Sequence, residues 1–245
     1  MSLADWRAAR LAALTAEGGW VNLVARLDLT PGTHLVGRTQ TVALPSGPDL
    51  LGTLILGPDT ASFARPGEDA RPFMPVADAF PQLLVAPFLL EIHTVDGVPA
   101  LRVRDLSQHP VVRLQYYPEA PEWRIVAAWE EVAPEMSSVA MKGGTTAPVM
   151  VTHRARFSAS GRDTTLTPTH WKSGKPMFVF RDATAGETYP ACRFLIGEDA
   201  RDGWITLDFN RAFTPPCGFT DFAVCPLPPA DNILPFRIEA GELAP

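Results

Sequence analysis

The chain lacks an apolar run long enough to cross a membrane, and we expect no signal peptide of the secretory type. Its longest apolar stretch, around Leu83 to Leu90, is broken by Pro87 and falls short of the roughly 18 residues that a membrane-spanning helix needs. In the first twenty residues, charged side chains occupy the region where a signal peptide has its apolar core: Asp5, Arg7, Arg10 and Glu17. We therefore expect a cytoplasmic protein with no membrane segment.

Positive charge is in deficit, and lysine is nearly missing. The 27 acidic residues outnumber the 21 basic ones, which gives a net charge of -6 and a pI near 5.4. Proteins that bind a phosphate backbone usually carry a basic surface, so we expect no nucleic-acid partner. Only three of the basic residues are lysine. This bias follows either from a GC-rich genome or from the use of guanidinium groups for two-point anion binding.

Cysteine is scarce, and the short motifs of common metal, nucleotide and catalytic sites are missing. The three cysteines, Cys192, Cys217 and Cys225, do not form the framework of a small secreted domain. The sequence contains no HExxH, GxSxG, P-loop or GxGxxG motif. No histidine stands at zinc-ligand spacing from the cysteines. We predict no metal site, and the sequence indicates neither a cofactor, nor a reaction, nor an oligomeric state.

An amphipathic helix is predicted at the N-terminus, within residues 1–19. Ser2 can cap it, with Asp5 three residues on as its capping-box partner. Apolar residues recur at helical spacing, and Gly18 and Gly19 end the pattern. We expect this helix to cover a β core, and the alternative is a helix that binds a partner.

From Trp20 onward the pattern changes to the period of two that is typical of strands. The clearest hairpin spans Phe88 to Asp105, because the turn Asp96-Gly97 separates two apolar runs. Three further segments carry strand signals: Met150 to Trp171 as a hairpin, Met177 to Arg181 paired with Thr188 to Leu195, and Trp204 to Phe209. The stretch from Pro58 to Pro75 is predicted to be a long loop.

The frequent strands, the turns rich in glycine and proline, and the single helix predict an all-β fold. We expect a barrel or barrel-like sandwich with an N-terminal helix, built as one β-rich domain over residues 20–245. The chain contains 25 prolines, and extended segments without N–H donors suit surfaces and sheet edges. We therefore expect a proline-rich C-terminal segment that wraps across the domain.

The segment after residue 175 carries an unusual series of motifs. They are, in order, Phe180-Arg181-Asp182, Thr188-Tyr189, Arg193-Phe194-Leu195, Leu207-Asp208-Phe209-Asn210, the Pro215-Pro216-Cys217 run with Phe219-Thr220, Cys225-Pro226-Leu227-Pro228-Pro229, and Ala240-Gly241-Glu242. This series resembles a bacterial and archaeal family known only as a domain of unknown function. The resemblance is specific from about Phe180 to Glu242 and looser upstream, at Trp6, Arg102 to Asp105 and Trp123. It implies no activity. Cys192 stands where the family usually has a small residue, which implies that its thiol has no required role.

Six side chains of this segment form the candidate ligand site: Arg181, Tyr189, Arg193, Asp208, Asn210 and Cys217. Alternate residues of a strand share a face, so Tyr189 and Arg193 lie together, and Arg181 joins them if the hairpin register places it there. Two guanidinium groups and a phenol could hold a carboxylate or phosphate at two points. We predict that the protein binds a small anionic molecule at the mouth of the barrel.

A structural role is the alternative for the same residues. Arg181 and Arg193 could form ion pairs with Asp182, Glu187 or Asp208 that close the sheet. Asp208 and Asn210 could tie down the proline-rich loop that follows them, since prolines supply few main-chain donors. The protein would then be a non-catalytic structural or interaction domain whose polar cluster stabilises the fold.

The two C-terminal cysteines also leave several interpretations open. Cys217 and Cys225 stand eight residues apart, and both have proline neighbours. They could be buried reduced thiols, a disulfide, part of a metal site or, with an activating neighbour, a catalytic thiol.

Overall fold

The computed structural model describes residues 1–77, 79–95 and 97–245. The chain divides into two compact units: an N-unit, Ala13–Val111, and a C-unit, which combines Met1–Ala12 with Val112–Pro245. The predicted division, a helix within residues 1–19 followed by one domain over residues 20–245, does not coincide with these units and stays a prediction.

The prediction of a mainly β protein with an N-terminal helix is confirmed. The helix α1 covers Leu3–Thr15. The strands of the N-unit are β1 (Leu23–Asp28), β2 (Gly32–Gly37), β3 (Val42–Ala43), β4 (Gly52–Leu56), β5 (Ala61–Ala64), β6 (Arg71–Pro72), β7 (Met74–Val76), β8 (Ala79–Val85), β9 (Phe88–Val95) and β10 (Val98–Asp105). Those of the C-unit are β11 (Arg124–Ala140), β12 (Thr146–Ala159), β13 (Arg162–Leu166), β14 (His170–Lys172), β15 (Lys175–Phe180), β16 (Arg193–Ile196), β17 (Glu198–Arg201) and β18 (Trp204–Asp208). Short 3-10 helices lie at Trp20–Asn22, Pro121–Trp123, Phe209–Arg211, Pro216–Gly218 and Ala230–Asn232.

The helix α1 begins at the predicted capping box. The Asp5 amide donates to Ser2 Oγ over 3.1 Å, and the Ser2 amide donates to Asp5 Oδ2 over 3.3 Å. Two amides that the helix itself leaves unpaired are thereby satisfied. Gly18 follows the helix end with a φ of 71°, which glycine adopts without a side-chain clash. Among the described residues, no helix is both long and apolar enough to cross a membrane.

The N-unit contains two five-stranded sheets, with the strand orders β1-β10-β9-β8-β7 and β3-β2-β4-β5-β6. Side chains of both sheets contribute to one apolar core. The predicted hairpin is confirmed, since β9 pairs with β10 from Phe88 opposite Asp105 to Val95 opposite Val98. Asp96 of the predicted turn lies outside the described residues.

The predicted loop from Pro58 to Pro75 is wrong in part. Strands β5 and β6 lie within it and pair through Ser62 and Pro72. Proline is accommodated there because β6 is the edge strand of its sheet, where a missing N–H removes no ladder hydrogen bond.

The C-unit contains a five-stranded sheet, β13-β12-β11-β18-β17, and a three-stranded sheet, β14-β15-β16. The hairpin of β12 and β13 turns through Ser160 and Gly161, whose φ angles of 51° and 69° suit a two-residue turn of type I′. Its return arm ends at Leu166, short of the predicted Trp171, because β14 pairs with β15 in the other sheet. None of the four sheets closes on itself within the described ranges, so the structure contains several open sheets.

A proline-rich segment, residues 213–245, follows the last strand and contributes to the core of the C-unit. Isolated bridges join it to the sheets at Phe194–Phe213, Met141–Pro226 and Arg181–Ile233. Near its end, alternate side chains are buried in the core: Leu234, Phe236, Ile238 and Ala240. The segment therefore buries one face like a strand without continuous strand pairing.

Asn232 fixes the point at which this segment turns inward. Its side chain is fully buried, and its amide nitrogen donates to the carbonyls of Thr167 and Val179, each over 2.8 Å. Its amide oxygen accepts from the Thr167 amide over 2.9 Å. The side chain thus supplies donors that the neighbouring prolines lack.

Replacement of Asn232 by alanine should lower the free energy of unfolding by about 3 kcal/mol, because three buried main-chain groups would lose their partners. Denaturant unfolding measures this change. Asp231→Ala, an exposed neighbour on the same 3-10 turn, is the matched control and should have little effect. Equal losses in the two variants would show that Asn232 does not anchor the segment.

Candidate functional site

The structure separates the two arginines of the predicted site. In the pairing of β15 with β16, Arg193 lies opposite Phe180. Cross-strand partners share a face, so Arg193 lies on the face of Phe180 and not on that of Arg181. Arg181 is exposed, whereas Arg193 has 1% of its surface exposed. The expectation that their guanidinium groups converge is therefore wrong.

Arg193 is paired inside the C-unit. Its Nη2 atom lies 2.8 Å from Asp182 Oδ1, and the side chains of both partners are 1% exposed. The guanidinium also donates to the carbonyls of Ala240, over 2.6 Å, and Ile238, over 3.1 Å. Its face lies 4.9 Å from the ring centre of Phe180. These contacts engage both terminal nitrogens of the guanidinium, while its Nε atom has no partner within the described ranges.

Asp182 also holds the C-terminal segment. Its Oδ2 atom accepts from the Ile238 amide over 2.8 Å, and the Thr184 hydroxyl lies 3.0 Å and 2.9 Å from the two carboxylate oxygens. Asp182 and Arg193 thus bind the main chain at positions 238 and 240 from both sides.

Asp208 and Asn210 are buried, and they form contacts both within their own 3-10 turn and with a residue far away in the sequence. Asp208 Oδ1 accepts from the Asn210 amide over 3.2 Å, and Asp208 Oδ2 pairs with Arg211 Nε over 3.3 Å. The side chain of Asn210 forms two hydrogen bonds with the main chain of Ala120, each of 2.9 Å. The loop that Asn210 ties down therefore precedes β11, and it is not the predicted proline-rich loop after β18.

Tyr189 and Cys217 are a second pair of predicted residues that the structure brings together, besides Asp208 and Asn210. The Tyr189 hydroxyl donates to the Cys217 carbonyl over 2.9 Å. Lys142, which the sequence did not single out as a site residue, donates to the same carbonyl over 3.4 Å. Cys192 and Cys225 are buried nearby, and all three cysteines are free. We call these five residues the thiol cluster.

The three thiols differ in acidity. A hydrogen bond from the Cys225 thiol lowers the pKa of Cys217 to about 7 against the effect of burial, and Tyr189 and Lys142 act in the same direction. The same hydrogen bond, together with burial, raises the pKa of Cys225. Burial raises the pKa of Cys192 to about 12. Of the three thiols, Cys217 is therefore the one whose pKa is lowered.

A second polar cluster lies in the N-unit, on one face of the sheet that contains β9 and β10. Glu91 Oε1 accepts from Arg102 over 3.0 Å, and Glu91 Oε2 accepts from Arg104 over 3.1 Å. All three side chains are at most 9% exposed. The Trp20 ring centre lies 5.4 Å from the guanidinium carbon of Arg102 and 5.9 Å from that of Arg104. We call these residues, with His93, the arginine cluster.

His93 is buried beside the two guanidinium groups. Burial, then Arg102 and Arg26, lower the pKa of His93 to about 4. Its Nδ1 atom has no hydrogen-bond partner among the described residues. The ring packs edge-on against Phe80, with 4.5 Å between the ring centres. Phe80 is 38% exposed.

The comparisons with known proteins identify the family. Residues 112–243 match the model of a family described as proteins of unknown function, DUF1684. The chain belongs to this family. No curated protein matches the chain in sequence. Among solved structures, the chain is similar to an uncharacterised protein of Haloarcula marismortui determined by solution NMR, with 31% identity, coverage of 53% of this chain and 75% of that chain, and a TM-score of 0.45.

The DUF1684 match confirms the resemblance inferred from the motifs. It lies within the C-unit and includes all six predicted residues and the thiol cluster. The arginine cluster lies outside the match, and the sequence analysis missed it. A signal was present in the sequence, because the turn predicted at Asp96-Gly97 would place Glu91 opposite Arg102, and the two strands do pair in this register.

Loss of the carboxylate at position 182 should destabilise the C-unit. Asp182→Asn leaves Arg193 buried without a counter-ion, which should reduce the free energy of unfolding by about 3–5 kcal/mol. Thermal or denaturant unfolding measures the loss. Glu187→Gln removes a carboxylate from the exposed pair with Arg237 and should leave the melting temperature nearly unchanged. Comparable losses in both variants would contradict the assigned importance of the buried pair.

His93 should make stability depend on pH. Its pKa in the folded state, about 4, lies below the ordinary value of 6.5, so the unfolded chain binds more protons between these values. Stability is therefore fully present above pH 6.5 and is lost as the pH falls toward 4, by roughly 3 kcal/mol from this group. The free energy of unfolding, plotted against pH across this range, should have a smaller slope for His93→Gln than for the wild type. The slope should be unchanged for His109→Gln, which replaces an exposed histidine. Identical slopes for His93→Gln and the wild type would refute the assignment.

Proposed function

We propose that the protein binds a small anionic molecule and that the arginine cluster of the N-unit is its site. One observation carries the proposal: two buried guanidinium groups, those of Arg102 and Arg104, share a single carboxylate, that of Glu91. In the described part of the chain, no second carboxylate pairs with either of them. Buried charges are ordinarily matched, so a group of two cations and one anion favours a further anion.

The donors of the cluster support the same conclusion. Each guanidinium carries five N–H groups, and Glu91 accepts one from each arginine. The buried Nε atoms of Arg102 and Arg104, like that of Arg193, have no partner within the described ranges, so it is the charge balance that separates the two clusters. A carboxylate or phosphate accepts from such a planar group at two points, whereas a neutral ligand gains less.

Neighbouring groups favour a compact, singly or doubly charged anion. The aromatic ring of Trp20 flanks both guanidinium groups and stabilises them by cation–π attraction, but it supplies no formal negative charge. The neutral ring of His93 adds a polar nitrogen without adding a third cation. The ring of Phe80, which is partly exposed, lies 5.9 Å from the guanidinium carbon of Arg102.

The predicted site in the C-unit offers less to an anion. Arg193 is matched one to one by Asp182 and also donates to two carbonyls. The geometry there favours the structural alternative, in which these residues hold the fold. The two clusters differ in charge balance, and this difference leads us to place the ligand in the N-unit.

Thermal unfolding in the presence of inorganic phosphate, acetate and succinate tests the proposal. Ionic strength is held constant with sodium chloride, so that general screening does not contribute. An anion that binds the folded state alone adds about 2.7 kcal/mol at a hundredfold excess over its Kd, which raises the melting temperature by roughly 5–10 °C. A flat response to all three anions would contradict the proposal.

Arg104→Met separates this function from a purely structural cluster. The variant leaves Arg102 and Glu91 as a balanced pair, so its melting temperature without added anion should equal or exceed that of the wild type, and its response to anion should vanish. Arg181→Met removes an exposed arginine of the C-unit and should respond like the wild type. A large loss of stability in Arg104→Met, together with no anion response in the wild type, would support the structural alternative.

A further inference from the structure

A cavity of about 520 Å³ in the N-unit is not explained by anion binding. It lies where three connections between strands meet: β1 to β2 at Pro31, β4 to β5 at residues 57–60, and β9 to β10 at Gly97. Its volume falls within the range of small-molecule sites, roughly 300–1,000 Å³. We call it the end cavity.

The inner part of the end cavity is formed by the apolar core. Leu56, Phe73 and Ile92 line it, belong to the core of the N-unit and are each at most 8% exposed. Leu56 belongs to the sheet of β4 and Ile92 to the sheet of β9, so the cavity lies between the two sheets. Phe80, which is partly exposed, adds a second aromatic ring. An aromatic group of a ligand gains contact with these side chains when it leaves water.

Proline supplies much of the remaining wall. Six prolines line the end cavity: Pro31, Pro58, Pro72, Pro75, Pro81 and Pro99. A proline ring is apolar, fixes its own φ and brings no N–H group, so this wall is stiff and poor in hydrogen-bond donors. A wall that is already rigid adds little ordering cost when a ligand binds.

The polar groups of the end cavity favour a ligand that donates hydrogen bonds and carries positive charge. The Gly57 amide already donates to the Thr60 carbonyl, over 2.8 Å. The Phe73 amide donates to the Ala61 carbonyl, over 3.0 Å. Asp59 is exposed in the turn between β4 and β5, and none of the described residues that line the cavity is cationic. A carboxylate accepts hydrogen bonds and attracts a cation.

We propose that the end cavity binds an aromatic amine, with the ring against Phe73 and Phe80 and the ammonium group at Asp59. Because Asp59 is exposed, the ammonium group keeps part of its hydration while the ring is buried. An aromatic carboxylate would be repelled by Asp59, and a neutral aromatic molecule would lack the attraction between the charges.

The end cavity and the arginine cluster lie on opposite faces of one sheet. On β9, Glu91 and His93 belong to the arginine cluster. Ile92 and Thr94, which alternate with them, line the end cavity. Successive residues of a strand point to opposite faces, and neither guanidinium group of the cluster lines the cavity. Phe80 contacts both sites, since its ring lies 4.5 Å from that of His93. The inference therefore goes beyond the proposed function and does not rest on it.

Amide shifts of the isotopically labelled full chain, titrated with three probes, test the proposal. Tryptamine, tryptophol and indole-3-acetate share an indole ring and carry an ammonium, a hydroxyl and a carboxylate group. Tryptamine should shift the amides of Gly57, Thr60 and Gly97 saturably, with a Kd on the order of 0.1–1 mM. Tryptophol should bind about fivefold more weakly, which is the effect of one exposed ion pair. Indole-3-acetate should leave these three amides unshifted, whether or not it binds at the arginine cluster.

Two results would overturn the proposal. One is the absence of a saturable shift at these amides with tryptamine. The other is an affinity for tryptophol or indole-3-acetate at the same amides that equals the affinity for tryptamine.

Asp59→Asn tests the charge at the rim. The side chain keeps its size and loses its charge, so the Kd of tryptamine should rise about fivefold, to that of tryptophol. Asp69→Asn replaces an exposed carboxylate that does not line the cavity, and this matched control should bind tryptamine like the wild type. An equal rise in both variants would show that the net charge of the protein, and not Asp59, attracts the amine.

Thr94→Phe tests the place of binding. Position 94 is exposed on β9, where a phenylalanine suits a strand, so the variant should stay folded while the larger side chain fills the cavity. Thermal unfolding checks the fold, and the tryptamine shifts should be lost. Thr33→Phe, at an exposed position of β2 outside the cavity, is the matched control and should bind tryptamine normally. Unchanged tryptamine binding in a folded Thr94→Phe variant would overturn the proposal.

Arg104→Met separates this inference from the proposed function. Because Arg104 does not line the end cavity, the variant should bind tryptamine with the wild-type Kd even though its response to anions is lost. Loss of tryptamine binding in a folded Arg104→Met variant would show that the amine does not bind in the end cavity independently of the arginine cluster, and it would overturn the inference.

Discussion

A fully buried ion pair between Asp182 and Arg193 is the constraint on which the C-unit depends. Two opposite charges that are both removed from water are tolerated only when further hydrogen bonds satisfy them, and here main-chain groups at positions 238 and 240 do so. The ion pair is therefore stabilised by the C-terminal segment, and the segment is in turn held by the ion pair. Earlier in the segment, the buried side chain of Asn232 likewise binds main-chain groups, the carbonyls of Thr167 and Val179. Polar side chains, rather than strand pairing, hold this part of the chain in the core.

The N-unit also buries guanidinium and carboxylate groups, but their charges do not match one to one. Around Glu91, two guanidinium groups share one carboxylate, and an aromatic ring replaces the second counter-ion. The C-unit pair is complete in itself, since its partners match one to one. Arginine suits both settings because its guanidinium group stays protonated when buried and its planar group can stack on an aromatic ring. The rarity of lysine in this chain is consistent with such use.

Local features could be predicted from the sequence, and distant contacts could not. The capping box at Ser2 and the hairpin of β9 and β10 each depend on a few adjacent residues, and both are confirmed. The prediction that Arg181 and Arg193 share a face is wrong because Arg193 lies opposite Phe180 and not opposite Arg181. A change of register by one residue moves a side chain to the opposite face of the sheet. The partner of Asn210 lies at Ala120, 90 residues away, and no local pattern predicts such a contact.

The bridges of the proline-rich segment affect whether another molecule can add a strand to the edge of a sheet. Strand β16 is the last strand of its sheet, and Phe213 bridges to it at Phe194, while Pro226 bridges to Met141 just beyond β11. An uncovered strand edge is a template on which another chain can add a strand, and continued addition leads to aggregation. A covering segment that makes isolated bridges and is rich in proline extends no ladder of its own. At the β16 edge, the segment therefore lies where a strand of another molecule would otherwise pair.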